Sequence, residues 1–324
     1  MRWLVTGGCG FIGINLIRRL IADGVSSIRI VDNLSVGSRE DLASVTDFVE
    51  VTPDDISATT GRVELVVKDI LDQEVARTIC ADVQVIVHLA ANTGVGPSVE
   101  DPMRDCKVNV IGTLNYLEGA RLQSVPRFIF ASSGAPVGEV DPPIHEDIVP
   151  KPASPYGSSK LAGEGYCSSY FRCFGLETVS LRFVNVYGPG SKKKESVVAK
   201  FFKKTMSGEP IEIYGDGSQT RDFIYIDDLV LAVILSGTTV GVGGEVFQIA
   251  TSEETTVGEL SKLVLSVVKE RGTDVPEIIR SEERAGDVMR NYSDTTKARI
   301  QLGWKSEISL REGLKTTYSY FLNR

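Results

Sequence analysis

Short apolar runs alternate with stretches of helical periodicity through the first half of the chain. The apolar runs predict strands at 3–6, 27–32, 63–67, 83–89, 127–132 and 178–183. Between them, apolar residues spaced three and four apart predict helices at 11–23, about 72–81, about 103–123 and 155–174. Such alternation is typical of a parallel sheet with helices on both faces. The predicted fold class is therefore α/β, with a doubly wound parallel sheet.

The pattern becomes irregular after residue 184. Helices are predicted near 196–207, 227–237, 256–270 and 309–322, and Thr256 with Glu259 fits a capping box. This region is expected to form a smaller C-terminal α/β lobe over the carboxyl ends of the strands. Residues 134–155 contain six prolines and predict a long ordered loop. A loop of that length in a compact domain is usually functional.

The first strand is followed directly by a glycine-rich turn. Gly7, Gly10 and Gly13 have the spacing G-x-x-G-x-x-G, and a helical pattern begins at Phe11 and Ile12. A turn without Cβ atoms lets a pyrophosphate approach the free N–H groups at the start of a helix. An ordinary glycine-rich strand-to-helix turn is the alternative for the triplet alone.

Asp32 strengthens the nucleotide interpretation. It ends the second predicted strand, nineteen residues after Gly13. An acid there accepts hydrogen bonds from ribose hydroxyls and repels a 2′-phosphate, which favours NAD over NADP. A solvated acid at the end of a strand is the simpler alternative. Together with the glycine turn, Asp32 predicts a Rossmann-type NAD site.

Composition and charge narrow the function classes. The chain has 324 residues, is 42% apolar and 24% charged, and carries a net charge of −8. This composition is that of a soluble globular protein and argues against nucleic-acid or anionic membrane partners. Five scattered cysteines without a C-x-x-C pair predict reduced thiols and a cytoplasmic location. Two histidines argue against a metal site, and no signal peptide or apolar run of eighteen residues is expected.

Three stretches whose residues could take part in catalysis or cofactor binding follow predicted strands. Ser133 ends the fifth strand, and Tyr156 and Lys160 lie one turn apart on a predicted helix face. A nearby ammonium stabilises a phenolate, so the pair suits a tyrosine base, with Ser133 as a hydrogen-bonding partner of the reacting oxygen. The spacing alone also occurs in ordinary helices with a solvated lysine. The third stretch offers small residues past which a cofactor fits, namely Leu89, Ala90 and Ala91.

These motifs resemble the extended short-chain dehydrogenase/reductases, and within them the nucleotide-sugar epimerases and dehydratases. The resemblance covers nearly the whole chain in order. It is carried by Thr6–Gly13, Asp32–Leu34, Lys68–Ile70, His88–Ala91, Asn109–Thr113, Ser132–Ser133, Tyr156 with Lys160, Leu181–Asn185, Gly215–Phe223, Arg284–Asp287 and Leu302–Trp304.

The resemblance implies a site made from distant parts of the chain. It implies an NAD-binding Rossmann domain at 1–183 with about 222–250, and a nucleotide-sugar lobe at about 184–221 and 251–324. Ser133, Tyr156 and Lys160 are the implied catalytic residues, with no metal. The implied cofactor contacts are Gly7, Gly10, Phe11, Ile12, Gly13, Asp32, Asn33, Asp69, Ile70, Leu89, Ala90, Ala91, Tyr156 and Lys160. The implied substrate contacts are Ser133, Asn185, Arg221, Arg284, Asp287 and Asn291.

Within this family, the residues after the serines favour 4-epimerisation of a nucleotide-diphosphate sugar. Dehydratases commonly have an Asp-Glu pair where this chain has Gly134 and Ala135. The usual Val-Tyr-Gly segment is replaced at 136–138, where Val137 stands for the tyrosine. At the position that limits room beside the sugar C2 group, ungapped counting gives Asn291, which favours tolerance of an N-acetyl group. A shift of one residue would instead place Tyr292 there.

Several alternatives stay open. They are a dehydratase, a 4-ketoreductase, a UDP-glucuronate 4-epimerase and a non-catalytic NAD-binding regulator. Plain UDP-glucose/UDP-galactose and UDP-N-acetylhexosamines are the expected substrates. The resemblance also implies a homodimer joined by the helices at about 103–123 and 155–174. Its apolar candidates are Val110, Leu114, Leu117, Leu161, Tyr166 and Tyr170.

Overall fold

The computed structural model describes residues 1–56, 61–282 and 288–323. The strands in these ranges are β1 Arg2–Thr6, β2 Ser27–Asp32, β3 Val49–Glu50, β4 Val63–Val67, β5 Val85–His88, β6 Arg127–Ser133, β7 Glu177–Phe183, β8 Asn185–Tyr187, β9 Ile211–Tyr214, β10 Thr220–Arg221, β11 Phe223–Tyr225, β12 Glu245–Ile249, β13 Thr255–Thr256 and β14 Ile278–Ser281. The helices are α1 Phe11–Ala22, α2 Arg39–Ala43, α3 Gln73–Ile79, α4 Val95–Glu100, α5 Pro102–Cys106, α6 Gly112–Leu122, α7 Pro155–Phe174, α8 Val197–Ser207, α9 Ile226–Thr238, α10 Val257–Glu270, α11 Thr296–Gln301 and α12 Leu310–Leu322.

The main sheet is parallel and has the order β12-β7-β6-β5-β1-β2-β4-β3. β1 pairs with β2 on one side and with β5 on the other, so the strand order reverses beside it. Open sheets of this kind bind ligands at the carboxyl ends of the strands beside this reversal. The predicted α/β, doubly wound Rossmann-type sheet is confirmed.

Both faces of this sheet are buried. Trp3 and Val5 of β1 belong to one apolar core, whereas Leu4 between them belongs to the other. Side chains alternate across a strand, so a strand covered on both faces must be apolar throughout. This requirement explains the near-continuous apolar runs in the sequence.

Residues after 184 build smaller sheets and also extend the main one. β8 pairs with β11, β10 with β13 and β9 with β14, while β12 joins the edge of the main sheet beside β7. The capping box at the start of α10 is confirmed, because the side chains of Thr256 and Glu259 each accept a hydrogen bond from the other's backbone N–H. The domain boundaries drawn from the sequence remain a prediction.

Several predicted elements differ from the structure at their ends, and one is divided. The helix expected over about 103–123 is divided into α5 and α6 by a π-helical turn at Lys107–Ile111. The strand expected at 83–89 is shorter, at Val85–His88. The proline-rich stretch before α7 is a loop as predicted, and its Ile144 bridges to Ser293 of the C-terminal region. In the part of the chain described, no helix is long and apolar enough to cross a bilayer.

Candidate active site

The glycine turn forms a close-fitting cradle at the end of β1. Gly7 has a φ of +68°, and a Cβ there would lie 2.8 Å from the Ala90 nitrogen. A Cβ on Gly13 would lie 2.5 Å from the Gly8 Cα. Gly10 precedes α1 and provides no side-chain cap, so side chains leave the first helical N–H groups uncovered. The cradle fits a diphosphate, since only glycine permits both the backbone turn and the close approach.

Asp32 ends β2 directly beside this cradle. Its Oδ2 accepts a hydrogen bond from the Cys9 N–H at 2.9 Å, and its Oδ1 accepts one from the Leu34 N–H at 2.8 Å. Burial raises the pKa of the carboxyl, while both backbone donors oppose that shift. Asp32 therefore ties the glycine turn to the end of β2.

The residues expected around adenine lie on the neighbouring strand end. Asn33 donates to Asp69 Oδ2 at 2.9 Å, which links the segment after β2 to the segment after β4. Ile70 is buried, and its carbonyl accepts a hydrogen bond from Asn115 at 3.0 Å. Asn33, Asp69 and Ile70 thus lie together beside Asp32, while their contacts with adenine stay a prediction.

His88 supports the loop that contains Leu89, Ala90 and Ala91. Its Nδ1 lies 3.0 Å from Thr6 Oγ1, and its Nε2 lies 3.2 Å from Thr113 Oγ1. The Thr6 hydroxyl also accepts the Ala90 N–H at 3.2 Å. Burial, followed by the charge of Lys160, lowers the pKa of His88 to about 3, so the ring is neutral at pH 7. His88 is therefore a packed core residue that supports this loop.

Ser133 and Tyr156 meet across the long loop. Ser133 is the last residue of β6, and Tyr156 is the second residue of α7, where Ser154 caps the helix by accepting the Gly157 N–H. The side chain of Ser133 lies near the Tyr156 hydroxyl. Burial raises the pKa of Tyr156 to about 12, and the neighbouring Ser133 opposes that shift in part. The tyrosine therefore needs positive charge nearby to act as a base at neutral pH.

Lys160 lies beneath Tyr156 and is itself buried. Its ammonium donates to the Ala131 carbonyl at 2.8 Å and lies 5.9 Å from the centre of the Tyr156 ring. It also lies 4.9 Å from the centre of the Phe130 ring. Burial lowers the pKa of Lys160 to about 8, while nearby acidic groups, chiefly Asp105, oppose the shift. The lysine is thus charged at pH 7 but sensitive to its surroundings.

Glu164 joins α7 to β7 through a buried ion pair and to β6 through a hydroxyl contact. Glu164 accepts two hydrogen bonds from Arg182 of β7, at 2.9 and 2.8 Å, and one from the Ser132 hydroxyl at 2.5 Å. The side chains of Glu164 and Arg182 are only 6% and 3% exposed. Sequence reasoning missed Glu164, although it lies one helical turn after Lys160.

Sequence reasoning also gave no role to Asn109, which lies in the π-helical turn. Its side chain exchanges two hydrogen bonds with the backbone of Asn92, at 2.8 and 3.0 Å. The same amide contacts Asp105 at 2.9 Å and Ser159 of α7 at 3.1 Å. Asn109 therefore joins the cofactor-side loop to the helix that carries Tyr156. Its presence in a motif was the available signal, and π turns often mark functional sites.

The expected substrate residues other than Ser133 fall into two groups. Asn185 begins β8, and its side chain donates to the Asp222 carbonyl at 3.1 Å. Arg221 precedes that aspartate and donates to the carbonyls of Thr220 and Val288 at 2.7 and 2.6 Å. Asn291 lies near this group, with its backbone N–H 3.3 Å from Thr220 Oγ1. The other two expected residues, Arg284 and Asp287, lie outside the described residues.

Asp222 organises this region and was not assigned a role from the sequence. Its buried carboxylate accepts hydrogen bonds from Thr251 and from the Ser252 N–H at 2.7 to 3.0 Å. Burial raises its pKa, and these donors oppose the shift. An acid in the sequence next to Arg221 was the available signal.

The loop after Ser133 contains no acid at the two positions discussed above. Gly134 donates its N–H to the Phe183 carbonyl at 3.1 Å, and Ala135 donates its N–H to Ser133 Oγ at 3.2 Å. Val137 is completely buried. Residue 137 therefore affects the loop through packing rather than by lining an open pocket.

Comparison with known proteins decides the family. Residues 3–250 match the family model described as the NAD dependent epimerase/dehydratase family. The chain belongs to this family. NAD is accordingly its cofactor, and the glycine cradle with Asp32 fits that dinucleotide.

Relatives of this family member are similar over its full length. It is 37% identical to a UDP-glucose 4-epimerase of Mycolicibacterium smegmatis, covering 100% of this chain and 99% of that protein. It is also similar to the crystal structure of UDP-glucose 4-epimerase with UDP-glucose from Thermotoga maritima, at a TM-score of 0.87 and 38% identity, over 99% and 98% of the two chains. A UDP-N-acetylglucosamine 4-epimerase from Methanobrevibacter ruminantium, in complex with UDP-N-acetylmuramic acid, gives a TM-score of 0.87 at 29% identity, over 99% and 98%.

Proposed function

We propose that this enzyme interconverts the C4 epimers of a nucleotide-diphosphate sugar, with UDP-sugars as its substrates. The observation that carries the proposal is the group of Ser133, Tyr156 and Lys160 beside the NAD cradle. Gly134 and Ala135 support epimerisation over dehydration, because neither side chain can remove or donate a proton at C5 or C6. Full-length similarity to 4-epimerases supports the same choice.

In the proposed mechanism, the chain supplies the proton transfers and NAD supplies reversible hydride acceptance. Tyr156 as phenolate removes the proton from the sugar 4-hydroxyl, and the glycine cradle and Asp32 would hold the NAD that accepts the C4 hydride and returns it to the opposite face. Ser133 donates a hydrogen bond to the same oxygen and keeps it near Tyr156. After the 4-keto sugar has rotated in the site, Tyr156 gives its proton back to the C4 oxygen. The overall reaction has no net oxidation or reduction.

Lys160 makes this role of Tyr156 feasible at neutral pH. A buried tyrosine whose pKa is raised to about 12 is a poor base. The Lys160 ammonium and the positive ring of oxidised nicotinamide both favour the phenolate. The proposal assigns Asn185, Arg221 and Arg284 to the substrate diphosphate, for which two guanidinium groups are well suited.

The C2 substituent is the open question of substrate choice. Asn291 is smaller than a tyrosine, and we infer that the site admits an N-acetyl group as well as a hydroxyl. The similarity to a UDP-N-acetylglucosamine 4-epimerase supports this extension. Replacing Asn291 with tyrosine is expected to abolish turnover of the N-acetylated sugar while retaining that of UDP-glucose.

Proton NMR tests the proposal directly. The purified enzyme is incubated with UDP-glucose, UDP-N-acetylglucosamine or UDP-glucuronate, and the anomeric signals of both epimers are followed. Conversion without accumulation of NADH is expected. A new methyl signal would identify a dehydratase, and consumption of NAD(P)H in the presence of an added 4-keto nucleotide sugar would identify a 4-ketoreductase. Inertness towards every sugar, with NAD bound, would favour a non-catalytic regulator and refute the proposal.

The variant Tyr156→Phe separates chemistry from binding. It removes only the hydroxyl, so NAD binding is expected to persist while turnover falls by at least about a hundredfold, in the range of a lost general base. Tyr166→Phe is the matched control on the same helix, and it is expected to retain activity. Full activity of Tyr156→Phe would remove that residue from the mechanism.

We further propose a homodimer formed through α6, α7 and residues 95–111, the segment that precedes α6. Two of the sequence candidates were wrong, because Leu117 and Tyr170 are buried within the protomer core. Apolar side chains that remain exposed on this side are Val99, Met103, Ile111 and Tyr166, at 61%, 68%, 46% and 38% exposure. Sedimentation at micromolar concentration tests the dimer, and a monomer there would refute it.

We also propose a cytoplasmic location. The five cysteines are free, and Cys9, Cys80 and Cys167 are buried. Burial raises the pKa of each of these three thiols to about 12, so they are poorly reactive and compatible with a reducing compartment. Fractionation of the source cells tests this proposal.

A further inference from the structure

Asp105 is a buried carboxylate next to the proposed catalytic helix. It belongs to α5 and is fully shielded from solvent. Its Oδ1 accepts a hydrogen bond from the Asn109 amide at 2.9 Å, whereas no donor among the described residues reaches its Oδ2. A buried carboxylate oxygen without a donor is costly, so it calls for a functional explanation.

The surroundings of Asp105 lead to Tyr156 and Lys160. The Asn109 amide that contacts Asp105 also contacts Ser159, whose hydroxyl donates to the Tyr156 carbonyl at 3.0 Å. Ser159 directly precedes Lys160, so these contacts bring the Asp105 carboxylate to the part of α7 that carries Lys160 and Tyr156. A carboxylate there raises the pKa of both groups. The carboxylate therefore lies behind the first turn of α7.

The other ionisable groups facing Lys160 offer little compensating charge. Glu164, on the same helix, is already paired with Arg182. Cys167 is a neutral thiol because burial raises its pKa to about 12, and His88 of β5 is neutral because burial lowers its pKa to about 3. The contacts from β6 are the Ala131 carbonyl and the Phe130 ring, neither of which carries a formal charge.

We propose that Asp105 is the counter-charge that keeps the buried Lys160 ammonium protonated. It is a positioning residue, since it acts on the reaction through Lys160. This inference deepens the proposed function, on which its catalytic consequence rests. The coupling between Asp105 and Lys160 itself does not depend on which reaction the enzyme performs.

The expected sign follows from electrostatics. Desolvation disfavours the charged form of a buried lysine, and a nearby carboxylate favours it. With Asp105 in place the pKa of Lys160 is lowered only to about 8. Neutralising Asp105 should lower it further, by about one unit for a charge in the same buried site. The pKa of Tyr156 should also fall, since a negative neighbour is lost.

Lysine NMR measures this coupling without requiring catalysis. The full-length protein is labelled at lysine Cε, and the Lys160 signal is assigned as the one missing from Lys160→Arg. In Asp105→Asn the Lys160 titration midpoint should move about one pH unit lower. Glu100→Gln is the control, because it removes an exposed charge at the end of α4, and it should leave the midpoint unchanged. An unchanged midpoint in Asp105→Asn would overturn the proposal.

The pH profile of epimerisation gives the functional counterpart. In Asp105→Asn, both the acid limb of the kcat profile, set by Tyr156, and the alkaline limb, set by Lys160, should move to lower pH. The rate on the alkaline side should fall about tenfold. Asp105→Glu, which restores the charge, should recover the wild-type profile. A uniform fall in kcat at every pH would indicate a structural role only, and would overturn the proposal.

Two further outcomes keep the tests distinguishable. If circular dichroism shows that Asp105→Asn does not fold, Asp105→Ser takes its place. In the wild-type protein, a Lys160 midpoint below about 7 would also overturn the proposal. A shifted Lys160 midpoint in an enzyme inert to all sugars would refute the proposed epimerase while supporting the coupling. Epimerisation with an unchanged Lys160 midpoint in Asp105→Asn would support the proposed epimerase and refute the coupling.

Discussion

The buried ion pair between Glu164 and Arg182 should be a large contributor to the free energy of unfolding. Glu164→Gln keeps the shape but replaces one carboxylate oxygen with an amide that faces the Arg182 donors. The guanidinium then loses its counter-charge while only 3% exposed. Arg182 Nη1 already has no hydrogen-bond partner among the described residues, so other groups there cannot compensate.

The magnitude follows from burial. Removing one partner of a buried pair costs about 3–5 kcal/mol, because an uncompensated charge is left in the interior. The free energy of unfolding of Glu164→Gln should therefore be about 3–5 kcal/mol lower than that of the wild type. The double variant Glu164→Gln/Arg182→Met removes the orphaned charge, and it should cost less than the sum of the two single variants.

Urea unfolding followed by circular dichroism, at one fixed protein concentration, measures these free energies. Glu50→Gln is the matched control, because Glu50 makes the same two-bond contact with Arg39 at 2.7 and 2.9 Å. Those partners are 44% and 48% exposed, so the control should change stability little. Additive costs in the double variant, or a cost below about 1 kcal/mol for Glu164→Gln, would refute the reasoning.

Three further predictions concern the cofactor site. Gly13→Ala places a Cβ 2.5 Å from the Gly8 backbone, so NAD binding measured by calorimetry should be lost, and wild-type affinity would contradict the cradle. Asp32→Asn replaces a charged acceptor of backbone N–H groups, and its NAD affinity should fall about tenfold or more; unchanged affinity would remove Asp32 from the site. His88 has a folded pKa of about 3, below its ordinary 6.5, so its stabilising contribution is complete above pH 6.5 and falls by about 2 kcal/mol at pH 5. His88→Gln should lose less stability than wild type between pH 7 and pH 5 in urea unfolding, and an equal loss would contradict this assignment.

Local patterning was enough to establish the sheet and the cradle. The strands of the main sheet are buried on both faces, which requires continuous apolar runs that a linear sequence displays. The glycine turn can likewise be recognised in the sequence, because its tight backbone uses closely spaced glycines at Gly7, Gly10 and Gly13. Tyr156 and Lys160 were found because one helical turn separates them in both sequence and space.

Only the tertiary structure decided what surrounds that pair. Asp105 comes from α5, and Arg182, which pairs with Glu164 of α7, comes from β7, eighteen residues beyond Glu164. The π-helical turn that brings Asn109 against Asn92 and α7 is also invisible to periodicity, because its surroundings have the pattern of one continuous helix. The charge of a buried lysine depends on which distant groups share its low-dielectric surroundings, and that is set by packing rather than by spacing along the chain.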